Sequence, residues 1–336
     1  MTNYPELGST FKNKRVLVAG GTGMVGIQLV KLLIEQGAKV RVASMDDPSL
    51  AHPDIEEFIG SDLRIYNNCL RACEEVDVVF NLLGVKGSPS TAQKYPATSF
   101  YNNLMLGIQL TQAACQCHVP KFLYTSTNGV YAPTSLMKED EMWDKPPSPH
   151  DKGPAWAKRM GELFSELCQI EHQTQFTIVR PSNIYGPYDN FDSENAMVIP
   201  SLIKKAVMAK ESGTPMEVWG DGSPKRDFIH AYDVARGMMF VIEKAPGQVL
   251  NISSGIGRSI CTLVTIILRH VGEGVEVKWD TSKPSGDQER VLDDTRLSSL
   301  GFKRDISLEN GLGETISWYL ANRDNQPKRF NALNEV

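Results

Sequence analysis

Short apolar runs alternate with amphipathic stretches along the first half of the chain. Val16 to Ala19 (VLVA) is apolar and β-branched, as a central parallel strand buried on both faces should be. Gly20, Gly23 and Gly26 follow at three-residue spacing, and the amphipathic run Met24 to Gln36 predicts a helix. Ala38 to Ser44 (AKVRVAS) alternates and predicts a second strand. Phe58 to Leu63 predicts a third strand ending in an acidic turn, and Tyr66 to Glu74 a helix. Val76 to Asn81 predicts a fourth strand, Ala97 to Cys117 a long helix, Lys121 to Ser126 a fifth strand, and Pro154 to Ile170 a further helix. Strand and helix in strict alternation predict an α/β fold built on a doubly wound parallel sheet.

The glycine spacing changes this picture from fold to ligand. Such a turn lets the chain reverse sharply, brings bare backbone against a pyrophosphate and seats the next helix close to the sheet. The helix N-terminus then presents free N–H groups and partial positive charge to an anion. A glycine triplet alone is weak evidence; its place between a strand and a helix is what points to a dinucleotide. Gly20, Thr22, Gly23, Met24, Val25 and Gly26 are the expected contacts. At the end of the second strand an acid favours NAD and a basic neighbour NADP. Ser44 and Asp46, in Ser44-Met45-Asp46-Asp47, supply neither cleanly, so the cofactor is NADP or NAD, with a lean to NADP. Asp46 and Asp47 read equally well as the start of a solvent loop before Pro48.

Composition narrows the partners. The 336 residues are 41% hydrophobic and 22% charged, enough for one large domain or two lobes. A net charge of −5 with interspersed signs provides no basic field for nucleic acid. No run approaches ~18 consecutive apolar residues, and the N-terminus lacks a charged segment leading into an apolar one, so no membrane partner and a cytoplasmic location are expected. The six cysteines, Cys69, Cys73, Cys115, Cys117, Cys168 and Cys261, form no CxxC and meet no His at ligand spacing, which predicts reduced thiols and no metal. The polar end, about Asn325 to Val336, reads as frayed.

Several segments together carry a family resemblance: Gly20-Gly21-Thr22-Gly23-Met24-Val25-Gly26, Asp62-Leu63, Asn103 to Gly107, Thr125-Ser126-Thr127-Asn128-Gly129-Val130-Tyr131, Lys158 in Trp156-Ala157-Lys158-Arg159, and Arg180 to Pro187. The chain resembles the extended short-chain dehydrogenase/reductases, the NAD-dependent epimerase/dehydratase group that modifies nucleotide sugars. Tyr185 to Phe191, Asn195 to Pro200, Val218 to His230, Asp293 to Leu297 and Leu300-Gly301-Phe302 are similar to its branch of GDP-sugar 4-keto reductases. The resemblance implies a Rossmann sheet with a smaller α/β C-terminal substrate lobe. Residues 1–183 would bind the dinucleotide, with a segment near 228–252 returning to them, residues 184–325 would bind substrate, and 326–336 would be a tail. It also implies a homodimer through the two long helices. Ser44, Asp46, Asp62 (at the adenine amino group), Leu63, Leu82, Leu83, Gly84, Asn103, Thr125, Lys158, Pro181 and Asn183 complete the cofactor set. Lys86, Asn128, Asn183, Val198, Lys205, Trp219, Arg226 and Arg290 would meet a nucleotide-diphosphate sugar, with Lys205, Arg226 and Arg290 on the diphosphate. Trp219 reads equally as a buried strand aromatic, and Asn183 alternatively as a structural turn contact.

In this family the reaction implied uses a Ser or Thr after the fifth strand, a Tyr, and a Lys four residues later, so that the ammonium shares a helix face with the hydroxyl and lowers its pKa. Thr127 and Lys158 fill two of the places, but Pro154 stands four before Lys158. Proline suits the first turn of a helix, where its missing N–H has no partner in any case. The residues left to move a proton are Thr127, Lys158, Tyr131, Tyr185, His150 or a held water. Members that also epimerise use a Cys and a His where this chain has Gly129 and Met197, neither of which moves a proton. The expected function is an NAD(P)-dependent nucleotide-sugar epimerase/reductase acting on a GDP-linked 4-keto hexose at an atypical site. The alternative is a catalytically degenerate protein that binds dinucleotide and nucleotide sugar.

Overall fold

Strand β1 (Arg15–Ala19) sends Val16 and Val18 to one face of a sheet and Leu17 and Ala19 to the other, so helices are needed on both sides. The structure, a computed structural model, describes residues 10–85, 94–191, 196–283, 287–325 and 329–331. The elements follow in the order α1 (Met24–Glu35), β2 (Lys39–Ser44), β3 (Glu57–Gly60), α2 (Tyr66–Cys73), β4 (Val78–Asn81), α3 (Pro96–Gln116), β5 (Lys121–Thr125), β6 (Leu136–Met137), α4 (Lys152–Glu171) and β7 (Gln175–Pro181). The second half holds β8 (Asn183–Tyr185), α5 (Val198–Ser212), β9 (Met216–Trp219), β10 (Lys225–His230), α6 (Ala231–Lys244), β11 (Val249–Ile252) and β12 (Gly257–Ser259). It ends with α7 (Ile260–Val271), β13 (Val277–Asp280), β14 (Glu289–Leu292), α8 (Thr295–Ser299) and α9 (Leu308–Asn322).

The main sheet has seven strands in the order β11-β7-β5-β4-β1-β2-β3, all parallel. Its order reverses between β1 and β4, and that switch leaves a crevice at the strands' carboxyl ends. Helices α1 and α6 cover one face with Leu29, Leu33, Met238 and Phe240. Helices α2, α3 and α4 cover the other with Ala72, Leu110, Ala114 and Cys168. A separate core of Leu202, Ile203, Leu263, Ile267, Leu312 and Ile316 joins α5, α7 and α9 beside a sheet ordered β12-β10-β14-β6, with β8 on β10, and a two-stranded β13-β9 sheet.

Two predicted strands are shorter than their apolar patterns. β3 stops at Gly60 because the Asp62 carboxylate turns the chain, accepting from Arg64 N at 2.9 Å. β4 begins at Val78 because Asp77 instead receives Arg15 N at 2.9 Å and Lys14 Nζ at 3.0 Å. The polar end also departs from the frayed reading: Phe330 N donates to Asp46 Oδ1 at 2.7 Å, so residues 329–331 dock against the N-terminal half. All six cysteines are unbridged. Among the described residues no helix is long and apolar enough to cross a membrane, and no cluster of metal-ligating side chains forms.

Helices α3 and α4 pack on Tyr124 of β5 through two glycines. A Cβ at Gly161 would lie 2.0 Å from the Tyr124 hydroxyl, and one at Gly107 3.0 Å from it. Gly161→Ala therefore forces the buried ring to move. Despite alanine's better helix propensity, it is expected to destabilise the chain by about 1–3 kcal/mol, the usual cost of overpacking. Tyr124→Phe removes a buried hydroxyl that has no protein partner among the described residues; it should be near neutral alone and recover part of the loss in the double variant. Chemical denaturation of the three variants measures both, and wild-type stability in Gly161→Ala would contradict this packing.

Candidate active site

The glycine turn meets α1 more closely than any side chain permits. Gly20 has φ +85°, and a Cβ at Gly26 would sit 2.2 Å from Gly20 O and 2.7 Å from Gly21 Cα. A Cβ at Gly21 would fall 2.8 Å from the Val42 methyls, which gives this glycine a packing role against β2 that spacing did not show. Helix α1 has no side-chain cap and no acid in its first turn, so its leading N–H groups suit an anion. Met24 is buried and Val25 half-buried behind the turn. Buried without protein partners at the adjoining end of β5 are Thr125 Oγ1 and Ser126 Oγ. A cradle that a Cβ would fill and orphaned hydroxyls in the crevice fit a dinucleotide.

At the ends of β1 and β2, Thr22 Oγ1 donates to Asp46 Oδ2 at 2.8 Å and lies 2.7 Å from Ser44 Oγ. Asp46 is thus drawn back toward the glycine turn rather than beginning a solvent loop. Asp62 is gripped by Arg64, with Nη2 at 2.7 Å and Nε at 2.9 Å from Oδ2. Burial pushes the Asp62 carboxyl up, but the bonds from Arg64 outweigh it and hold the group below its usual range. Leu63 is buried behind this turn.

Lys158 organises the crevice between the ends of β4 and β5. Its ammonium donates to Leu83 O at 2.9 Å, just past β4, and to Thr125 O at 2.8 Å, closing β5. It lies 5.2 Å from the centre of the Tyr124 ring. Burial pushes the Lys158 ammonium down to about 8, against the opposing pull of Glu162 one turn along α4. Asn103 of α3 pins the same loop, accepting from Val85 N at 3.1 Å and donating to Ser99 O at 2.8 Å. A Cβ at Gly84 would meet Asn103 Oδ1 at 3.5 Å and Lys158 Nζ at 3.8 Å, so the β4 loop passes in contact with both side chains. Thr127 accepts from Gly129 N at 3.2 Å, and Arg159 of α4 holds that loop by donating to Val130 O at 2.8 Å. Pro154 lies in the first turn of α4, where no hydrogen bond is lost.

Of the proposed proton carriers, two tyrosines are withdrawn by their surroundings. Tyr131 is buried, donates to Asn251 Oδ1 at 2.7 Å and receives Arg180 Nη1 at 3.0 Å; burial, against the pull of Arg180, pushes its hydroxyl up to about 12. Tyr185 is buried edge-on against His230 at 5.4 Å, and burial pushes its hydroxyl well up. The His150 side chain and Lys86 lie outside the described residues. Sequence reasoning passed over Asp151 because it sits beside the His150 that drew attention. Its carboxylate lies where a Cβ on Gly129 would meet Oδ2 at 3.5 Å.

On the substrate side, Arg226 and Arg290 are register partners across the parallel β10–β14 pair. Burial, then the adjacent Arg290 charge, pushes Arg226 down. Arg290 stands 3.6 Å from Asp151 and 3.8 Å from Asp287, and donates to Asn128 O at 3.4 Å, while its buried Nε has no partner among the described residues. Two guanidinium groups stand side by side there, with Asp151 and Asp287 as their nearby acids, and paired guanidinium forks are a donor set that can take a diphosphate. Lys205 and Trp219 meet elsewhere, at the β9–β13 sheet. The ammonium lies 5.7 Å over an indole that is 62% exposed, so Trp219 is not the buried strand aromatic of the alternative reading. Asn183 donates to Asp227 O at 2.8 Å and so fastens β8 to β10. Val198 opens α5 on its exposed side, and Pro181 closes β7.

The chain matches the NAD dependent epimerase/dehydratase family over residues 16–253. It is 32% identical to GDP-L-fucose synthase of Escherichia coli over 324 residues, 93% of this chain and 98% of that one. It is 29% identical to GDP-L-colitose synthase of Yersinia pseudotuberculosis, across 74% and 82% of the two chains. In fold it resembles the crystal structure of a GDP-L-fucose synthetase from Naegleria fowleri bound to NADP, with TM-score 0.82 at 21% identity, covering 94% of this chain and 96% of that one.

The lowered Lys158 gives a pH signature. Between pH 8 and the ordinary lysine value of 10.5 the unfolded chain holds the proton that the folded chain has shed, so stability rises with pH across that window. Below pH 8 both forms are protonated and the cost of burying the charge is constant. The stability difference between wild type and Lys158→Met should therefore shift in favour of wild type as pH climbs from 8 to 10.5. Paired thermal melts check this, and a difference independent of pH would contradict it.

Proposed function

Because the chain belongs to the NAD dependent epimerase/dehydratase family of enzymes, we propose that it is an NADP(H)-dependent reductase of a GDP-linked 4-keto hexose. The bound nicotinamide supplies or accepts a hydride at its C4 position. Lys158 and Asn103 fix the floor of the crevice by holding the β4 and β5 ends, and Thr127, whose hydroxyl accepts from Gly129 N, follows β5. Arg226 and Arg290 take the diphosphate of the nucleotide sugar, Arg290 in a fork geometry that Lys cannot match. Lys158, with its ammonium brought down to about 8, is the proton source, since two of its three donors hold carbonyls and one remains. Gly129 and Met197 supply no base, so reduction without epimerisation at the neighbouring carbons is the expected outcome. The single observation that carries the substrate class is the side-by-side placement of Arg226 and Arg290.

Residues up to 183, with 228–252 returning to them, form the cofactor half in this reading, and residues 184–325 close over the sugar. The NADP form is supported by the Naegleria fowleri structure, which holds NADP. A cytoplasmic location is supported by six cysteines left unbridged. Pro154 favours a second reading, in which the same site binds both ligands without turnover.

Mixing the purified chain with NADPH and GDP-4-keto-6-deoxymannose should consume NADPH slowly and yield a reduced GDP-sugar. Pro154→Tyr separates the readings. A gain of tenfold or more from near-zero activity supports the degenerate one, whereas unchanged or lower turnover in an active chain supports Lys158 as the donor. Absence of any GDP-sugar binding sinks both.

The expected homodimer is supported by an apolar stripe on α4, where Leu163, Leu167 and Ile170 are exposed at helical spacing, Ile170 at 81%. Sedimentation should find a dimer that Leu167→Asp with Ile170→Asp converts to monomer; a monomeric wild type overturns it.

A further inference from the structure

The dipeptide Arg329-Phe330 of the polar tail lies over the adenosine end of the crevice, a place that no property of the tail's sequence announced. Arg329 donates to Thr22 O within the glycine turn and approaches Asp46 Oδ2 at 3.4 Å. Phe330 N donates to Asp46 Oδ1 at 2.7 Å, and the Arg64 guanidinium stands 5.9 Å over the Phe330 ring. The dipeptide therefore bridges two turns, Thr22 and Asp46 at the β1 and β2 ends and Asp62-Leu63-Arg64 after β3. In a doubly wound dinucleotide fold the adenosine ribose is received between those turns.

Asp46 has the wrong charge for a phosphorylated ribose. A carboxylate there would accept the hydroxyls of an unmodified ribose and repel a 2′-phosphate. No arginine or lysine follows β2 closely: the segment reads Ser44-Met45-Asp46-Asp47-Pro48. Arg329 brings a guanidinium to that spot from 283 residues away in sequence. Its side chain is 27% exposed and that of Asp46 10%, so the pair is set into the surface rather than waving above it. A planar fork beside the carboxylate neutralises it and offers paired N–H donors to phosphate oxygens. Phe330, with Arg64 on its ring, provides a flat apolar surface of the kind an adenine stacks on.

We propose that Arg329 is the residue that selects NADP(H) over NAD(H), receiving the 2′-phosphate of the adenosine ribose, with Phe330 beside the adenine. The tail is thereby part of the cofactor site and not an appendage. This rests on the reading that the glycine turn holds a dinucleotide, and on nothing about the sugar.

Equilibrium binding separates the two layers. The full chain is titrated calorimetrically with NADPH and NADH, and with the fragments 2′,5′-ADP and ADP, which report the 2′-phosphate alone. Arg329→Ala should weaken NADPH and 2′,5′-ADP by roughly tenfold to a hundredfold, as loss of a charge-assisted fork does, while leaving NADH and ADP within about threefold. Arg329→Lys, which keeps the charge and loses the fork, should fall between. Asp46→Asn with Arg329 intact should tighten 2′,5′-ADP. Equal weakening of all four ligands, or no change in any, overturns the proposal by making the contact merely structural. Tightening of all four overturns it by making the tail a plug. Failure of wild type to bind any of the four overturns the dinucleotide reading and the proposal with it.

Discussion

One buried ammonium group holds the working end of the molecule together. Lys158 reaches from α4 to the carbonyls of Leu83 and Thr125, joining the two strand ends that flank the crevice. Without it both carbonyls would lose a partner and the loops after β4 and β5 would be free to part. A cation in such a place is costly, which is why burial moves its titration down toward neutrality. The arrangement around it limits that cost: Glu162 lies one turn further along the helix and is itself bound by Arg180 at 2.7 Å, and Arg180 also holds Tyr131 and Glu139 O. A buried polar network of Glu162, Arg180, Tyr131 and Asn251 thus lies beside Lys158 and reaches the end of the loop carrying Thr127.

Economy of space explains the glycines. Gly26, Gly107 and Gly161 each stand where one extra carbon would strike backbone or the Tyr124 ring, so α1, α3 and α4 are held at fixed depth. The depth of α4 decides where Lys158 ends. Pro154 does not disturb this, because the first helical turn needs no N–H there, so the scaffold stands intact although the usual proton carrier is gone. In the proposed function this leaves the Lys158 ammonium, lowered by burial, as the group that parts with a proton.

The sheet and the glycine turn were legible because they depend on local periodicity: buried parallel strands must be apolar, and a phosphate-binding turn must be bare. Lys158 and Thr127 were legible through their motifs. Three features were less so. The juxtaposition of Arg226 and Arg290 was legible only through the family resemblance, because it depends on the register between strands some sixty residues apart, which no window of sequence contains. Tyr131 and Tyr185 looked able to donate protons until burial and the Asn251 and His230 contacts placed them in the interior. Arg329 lies in a polar tail whose composition predicts fraying, and only the tertiary approach of Asp46 gives it a partner.

The central claim is that hydride transfer survives the loss of the tyrosine. The most direct measurement is transfer of the label from NADPH deuterated at the nicotinamide C4 to the nucleotide sugar, with the unmodified chain bearing Pro154 and both ligands shown to be bound. The product mass should rise by one deuterium relative to that formed from unlabelled NADPH, with the label on the former carbonyl carbon. Bound ligands with no deuterium in the sugar would contradict the account and leave a site that only binds.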